Sequence, residues 1–176
     1  MPGIKTRTEN VEFIEYCIER VFTAAGASRE HAAIVARAIG FAHRQGGEKL
    51  NQGLGVYEVL DIALISGNLD VKAEPELVNE GPSWAVFDGH KSSGYYVLDK
   101  MARCAIEKAK QHAIAIAFGA NHNDAGSFSA FAHMAYEEDL AAFTSNNTPP
   151  LTAPYGGMRN ALGAPPFDAI IPGGRE

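Results

Sequence analysis

Residues 94–118 read GYYVLDKMARCAIEKAKQHAIAIAF, and this stretch decides the fold class. Over 94–113, apolar side chains recur every three or four residues, which predicts an amphipathic helix. One face of that helix carries Val97, Met101, Ala105 and Ala109. The overlapping run AIAIAF, 113–118, predicts a buried strand directly after the helix. Helices that alternate with strands indicate an α/β fold.

Outward from this stretch, we predict a helical N-terminal section, 1–70, and an α/β domain, 71–176. The first helix runs from Thr8 to Ala25, and Ser28 caps a second helix that ends near Ala42. A third helix covers 56–67, after a glycine-rich loop. Further strands are predicted at 75–81, 83–89, 141–146 and 167–172, with a helix at 127–140.

Composition excludes several classes of protein. The 176 residues are 46% hydrophobic and 20% charged, with a formal net charge of −6 and no Lys/Arg cluster, so nucleic acid is not an expected partner. No apolar run is long enough to span a bilayer, and the N-terminus does not resemble a signal peptide. Cys17 and Cys104 fall in helical patterns. We expect both to be reduced and to serve as packing residues in a cytoplasmic protein.

The chain stops at IIPGGRE, directly after the last predicted strand. Two interpretations remain open at this point. The sequence is a short natural protein, or it is the N-terminal half of a longer protein whose remaining part, or another chain, completes the sheet.

The stretch GANHNDAG, 119–126, concentrates polar groups after the predicted strand. Ligands of α/β folds bind at the carboxyl ends of strands, and a neutral histidine there can exchange a proton near neutral pH. His122 is therefore a candidate general acid or base, with Asp124 as a candidate to orient its ring. The alternative is that Asn123, Asp124 and Ser127 only cap the next helix.

A second polar segment, NNTPPLTAPYGG, spans 146–157. Its prolines restrict the backbone and leave Asn146, Asn147 and Thr148 available to a ligand. From the composition alone, a rigid surface loop is the favoured interpretation. No metal-binding motif is present, so we predict no metal. The remaining histidines outside the candidate helix 127–140 have no obvious acidic or cysteine partner at ligand spacing: His31, His43, His90 and His112.

Taken together, five segments in this order resemble the type 2 malate/L-lactate dehydrogenases. They are the opening helix pair, 13–42; the core segment, 65–117; GANHNDAG; NTPPLTAPYGG, 147–157; and GAPPFDAIIPGG, 163–174. The resemblance covers nearly the whole chain as the N-terminal half of a family member. It implies a fold unlike the Rossmann domain, so the lack of a GxGxxG motif is no argument against nucleotide binding.

The resemblance also implies a function. His122 would protonate or deprotonate the substrate oxygen during hydride transfer to or from NAD or NADP, and Thr148 would contact the nicotinamide cofactor. We assign Asn121, Asn147 and Gly156 to cofactor binding as well. The implied substrate is a small 2-hydroxy or 2-oxo acid or a related carboxylate, and the implied assembly is a homodimer.

The chain departs from the family at the substrate-anchoring positions. The expected arginine and tyrosine fall on Val56 and Leu60, and Asn-Gln-Gly stands where Ser-His-Gly is expected. Gln52 and Arg44 are the remaining candidates for substrate binding. Two hypotheses follow: a dehydrogenase with a changed substrate, or a diverged or truncated subunit of the same fold that has no catalytic activity.

Overall fold

The computed structural model describes residues 9–46 and 65–173. The chain forms α1 (Val11–Ala24), α2 (Arg29–Arg44), β1 (Glu76–Gly81), β2 (Trp84–Asp88), α3 (Gly94–His112), β3 (Ile116–Ala120), α4 (Ser129–Tyr136), β4 (Ala142–Ser145) and β5 (Phe167–Ile170). This element order confirms the predicted α/β fold with helices first. The predicted third helix, 56–67, falls almost entirely outside the described residues. In 9–46 and 65–173, no helix has the length and apolarity needed to cross a membrane.

Side-chain caps determine where the first two helices begin. The Asn10 carboxamide oxygen accepts a hydrogen bond from the backbone N–H of Phe13 at 2.7 Å, so α1 begins at Val11 rather than at the predicted Thr8. Ser28 caps α2 in the same way, as predicted, by accepting from the N–H of His31 at 3.1 Å.

The two cysteines differ in their surroundings. Cys104 is half-buried on α3, in agreement with a packing role, but Cys17 is exposed on α1, and for that residue the prediction was wrong. The α1 face that packs inward uses Ile18 and Phe22 instead.

The first sheet has the order β1-β2-β3. β1 and β2 are antiparallel, whereas β2 and β3 are parallel and are joined through α3. Asp88 pairs with Ala120 in this register, so the carboxyl ends of β2 and β3 lie side by side. This edge is where an α/β sheet places its ligands.

β3 differs from its prediction as a buried strand. Ile116 and Phe118 are 52% and 53% exposed, while the alternate residues Ala117 and Gly119 are half-buried. A Cβ on Gly119 would lie 2.5 Å from the Met101 sulfur of α3. The face of small residues therefore lies against α3, and the face of large residues does not.

The chain divides into two compact units, 1–127 and 128–176. In the second unit α4 packs on the antiparallel pair β4–β5. Within the long connection between these strands, Thr152 and Leu162 form an isolated antiparallel β-bridge. The predicted boundary at residue 70 stays a prediction, because 47–64 are not described.

Candidate active site

An open cleft of about 560 Å³ lies where β2 and β3 end in the first unit. Its walls come from the segments that follow the two strands and from one residue that precedes β1. The lining residues are Asn68, Asp88, His90, Lys91, Asn121, His122 and Asn123. The parallel pairing of β2 and β3 is what brings the two polar segments together.

A tight turn after β2 forms one side of the cleft. The Gly89 N–H donates to the Ala120 carbonyl at 2.8 Å, and the Lys91 N–H donates to the Asn121 carbonyl at 2.6 Å. A Cβ on Gly89 would lie 2.8 Å from the Cβ of His122. Only glycine allows the turn to approach the histidine this closely without a displacement.

Asp88 ties the two segments to each other. Its Oδ1 accepts from the His90 N–H at 2.8 Å, and its Oδ2 accepts from the Asn121 carboxamide at 3.0 Å. These two donors, the His90 amide first, lower the pKa of the Asp88 carboxyl. Asp88 is therefore ionised at neutral pH.

His90 has an acidic partner, contrary to the sequence analysis. Its Nε2 lies 2.9 Å from the Glu76 carboxylate, and its Nδ1 lies 3.5 Å from Asp88. The hydrogen bond with Glu76, assisted by the charges of both carboxylates, raises the pKa of His90. The earlier view was wrong because Glu76 and His90 are joined by the β1–β2 pairing and not by a short sequence spacing.

A backbone carbonyl fixes the orientation of the His122 ring. Its Nδ1 lies 2.8 Å from the carbonyl oxygen of Asn123, and a carbonyl can only accept, so Nδ1 carries a proton. In the neutral ring Nε2 then carries the lone pair. Within 9–46 and 65–173, no residue forms a hydrogen bond with Nε2, and the half-buried ring lines the cleft.

Asp124 has a different contact from the one we expected. Its Oδ1 accepts from the N–H groups of Ala125 and Gly126 at 2.7 and 3.1 Å, and the described structure contains no hydrogen bond between Asp124 and the imidazole. The Asn123 carbonyl orients the ring instead. A catalytic role for Asp124 stays a prediction without a direct contact.

The capping alternative for this segment is wrong. α4 begins at Ser129 after Phe128, and among the described residues no side chain caps it by a hydrogen bond. Asn123 instead donates from its carboxamide to the Asn68 carbonyl at 2.6 Å. The polar groups of 121–124 thus hold the cleft and the turn together.

The other predicted site residues lie elsewhere. Arg44 pairs with Glu15 at 2.8 Å and Glu12 at 3.4 Å on α1, and Gln52 is outside the described residues. Thr148, in the second unit, accepts from the Ala164 N–H at 2.8 Å through its hydroxyl. Asn147 and Gly156 belong to the same unit. The described part of the chain contains no group of three or more His, Cys, Asp or Glu residues placed to hold a metal ion.

Five lining residues were not predicted as site residues: Asn68, Asp88, His90, Lys91 and Asn123. A signal for four of them was present. Asp88, His90 and Lys91 lie at the end of the predicted strand 83–89 or directly after it, and Asn123 belongs to the same polar segment as Asn121 and His122. The missing information was that the two strands are parallel neighbours. Asn68 is too far from either segment in sequence to be associated with them.

Comparisons with known proteins agree with this picture. The sequence model of the malate/L-lactate dehydrogenase family matches residues 10–176. The malate dehydrogenase of Pyrococcus horikoshii is 34% identical over 155 residues, which are 88% of this chain and 42% of the relative. The L-sulfolactate dehydrogenase of Methanocaldococcus jannaschii is 31% identical over 71% of this chain and 36% of its own length. The NAD(+) ureidoglycolate dehydrogenase of Escherichia coli O157:H7 is 25% identical over 92% and 46%, respectively.

Solved structures show the same relationship. The malate dehydrogenase structure from Pyrococcus horikoshii OT3 superimposes with a TM-score of 0.87 at 30% identity, over 100% of this chain and 51% of that one. The chain thus spans about half the length, or less, of the relatives it matches. The resemblance seen in the sequence and the predicted fold are both confirmed, and the chain belongs to the malate/L-lactate dehydrogenase family.

Proposed function

We propose that the protein is an NAD(P)-dependent oxidoreductase that transfers a hydride between a nicotinamide cofactor and a small 2-hydroxy or 2-oxo acid. The observation that carries the proposal is the fixed tautomer of His122, whose Nε2 remains available in a cleft at the ends of two parallel strands. The relatives support it, because they are named as malate, L-sulfolactate and ureidoglycolate dehydrogenases.

His122 supplies the proton chemistry in this proposal. In the oxidation direction its neutral Nε2 accepts the hydroxyl proton of the substrate, and in the reduction direction the imidazolium returns a proton from Nε2 to the carbonyl oxygen. The Asn123 carbonyl stabilises both states, since the bond from Nδ1 strengthens when the ring becomes charged.

The cleft is compatible with a nicotinamide group, which when bound supplies or accepts the hydride. Its volume of about 560 Å³ falls in the usual range for ligand sites. Three asparagines line it, and their side chains and backbone can exchange hydrogen bonds with a carboxamide. We assign Asn121 to this contact, and Asn147, Thr148 and Gly156 to further cofactor contacts.

One observation favours the non-catalytic alternative. The ion pairs of Arg44 with Glu15 and Glu12 occupy a guanidinium that we had considered for substrate binding. A homodimer and a cytoplasmic location are also part of the proposal and rest on the family resemblance.

Fluorescence titration with NADH and NADPH tests the function. We expect saturable binding that Thr148→Val weakens by removing the hydroxyl, and that His122→Ala largely preserves. In a turnover assay with 2-oxo acids, His122→Ala should lower the rate by roughly 10²–10⁴-fold, the usual contribution of a general acid or base. Turnover that His122→Ala does not lower would contradict the role of His122. No binding up to about millimolar cofactor would favour the non-catalytic alternative for this chain.

A further inference from the structure

We infer that Lys91 binds the carboxylate of the substrate and so replaces the arginine that the family resemblance leads one to expect. The inference rests on the proposed function and concerns the same cleft. It names the cation that would hold the carboxylate of a 2-hydroxy or 2-oxo acid.

The backbone places Lys91 on the cleft wall. Lys91 and the preceding His90 have positive φ angles of 67° and 47°, a conformation that L side chains rarely adopt. Two hydrogen bonds hold the turn: the Lys91 N–H donates to the Asn121 carbonyl at 2.6 Å, and the Lys91 carbonyl accepts from the Asp70 N–H at 3.0 Å. Bonds with Asn121 and Asp70 therefore keep Lys91 in an unfavourable conformation, which is typical of functional positions.

The charges of the cleft make Lys91 the available cation. Asp88 is held by the His90 amide and by Asn121, and His90 is paired with Glu76. Among the described residues, no carboxylate lies within ion-pair distance of the Lys91 ammonium group. An anion in the cleft can thus pair with Lys91 without breaking an existing ion pair.

The proposed proton donor, His122, lies in the same cleft as Lys91. In a 2-oxo acid the carboxylate is bonded directly to the carbonyl carbon, so the group that binds the carboxylate must be on the same cleft as the group that protonates the carbonyl oxygen. Lys91 and His122 line one cleft, whereas Arg44 is engaged with Glu15. A desolvated carboxylate needs such a cationic partner.

Binding of two small probes tests this assignment. Oxamate carries the carboxylate of a 2-oxo acid, and oxamide is its neutral counterpart. We would measure both by ligand-observed NMR titration of the wild-type chain, Lys91→Gln, Lys91→Arg and the control Lys110→Gln. Lys110 is a suitable control because it lies on α3 and does not line the cleft.

We expect Lys91→Gln to weaken oxamate binding about tenfold or more, the usual effect of losing a charge-assisted hydrogen bond. Lys91→Arg should keep most of the affinity, and oxamide should bind the wild type and Lys91→Gln equally weakly. Equal oxamate affinities for Lys91→Gln and Lys110→Gln would overturn the assignment, as would a wild type that binds no oxamate. Lys91-dependent oxamate binding without any cofactor binding would instead refute the proposed dehydrogenase and leave an anion site.

Discussion

His31 is the most deeply buried histidine among the described residues, at 1% exposure. Its Nε2 lies 2.6 Å from the Ser93 hydroxyl, and its ring stacks on Tyr96 with centroids 4.4 Å apart. Burial lowers the pKa of His31 to about 4, although a hydrogen bond to the Val71 backbone and the charge of Glu74 oppose the shift. The pair of His31 and Ser93 joins α2 to the start of α3.

A pH dependence of stability follows from this burial. The unfolded chain protonates His31 below about pH 6.5 and the folded chain only below about 4, so unfolding takes up a proton between these values. The free energy of unfolding should fall by about 3 kcal/mol as the pH drops through that window. Urea denaturation followed by the fluorescence of Trp84, the single tryptophan, measures this.

His31→Gln should flatten the pH dependence, since glutamine keeps a polar group near Ser93 and does not titrate. His112→Gln, at an exposed position on α3, is the matched control and should leave it unchanged. Equal pH slopes for wild type and His31→Gln would contradict the interpretation.

Two substitutions of Asp124 distinguish a carboxylate that forms the turn from one that takes part in catalysis. Asp124→Ala removes the acceptor for two amides and should cost about 1–3 kcal/mol of stability. Asp124→Asn keeps one carboxamide oxygen, so a carboxylate that only forms the turn predicts values close to the wild type in urea denaturation and in turnover. A large loss of turnover in a stable Asp124→Asn would instead show that the charge itself is needed.

At the scale of elements, the sequence predicted most helices and strands but not which strand face is buried. In AIAIAF, both alternate sets of residues are apolar, so the pattern contains no information about the face. The structure places Ala117 and Gly119 inward because the Met101 and Val97 side chains of α3 lie against Gly119. The same limit applies to the cleft, since neighbouring strands cannot be paired from their patterns alone.

The start of α3 packs directly on the segment that holds His122. A Cβ on Gly94 would lie 2.3 Å from the Asn123 carbonyl oxygen and 2.8 Å from Ala125. Gly94→Ala should therefore displace this segment, destabilise the first unit by about 1–3 kcal/mol and weaken oxamate binding.

Gly173→Ala is the control for this substitution, because a Cβ there meets no atom of residues 9–46 or 65–173 within 4 Å. Thermal unfolding and the oxamate titration measure the two effects. A Gly94→Ala variant that matches the Gly173→Ala variant in both would show that the segment can move aside without cost.

At the scale of the whole molecule, the second unit exposes large apolar side chains. Phe143 and Phe167 stack with centroids 5.9 Å apart across β4 and β5 and are 69% and 71% exposed. Leu151, Tyr155, Met158 and Ile171 are also exposed. The sequence predicted the strands of this unit, but a pattern of apolar residues does not show what covers them.

We expect this chain to bind a hydrophobic dye and to self-associate as its concentration increases, because exposed apolar patches favour contacts between molecules. The double variant Phe143→Ser/Phe167→Ser should reduce both effects, and Tyr155→Ser should reduce them less. Dye emission and sedimentation velocity measure the two properties. Unchanged values in the double variant would exclude the β4–β5 pair as the cause.

The parallel pairing of β2 with β3 has a consequence for folding kinetics. α1 packs against α2 and β1 pairs with β2, and each of these pairs is adjacent in sequence, whereas α3 separates β2 from β3 in the chain. Because contacts that are distant in sequence close late, we expect the segments after β2 and β3 to come together near the end of folding. An anion that occupies the cleft would then slow unfolding more than it speeds folding.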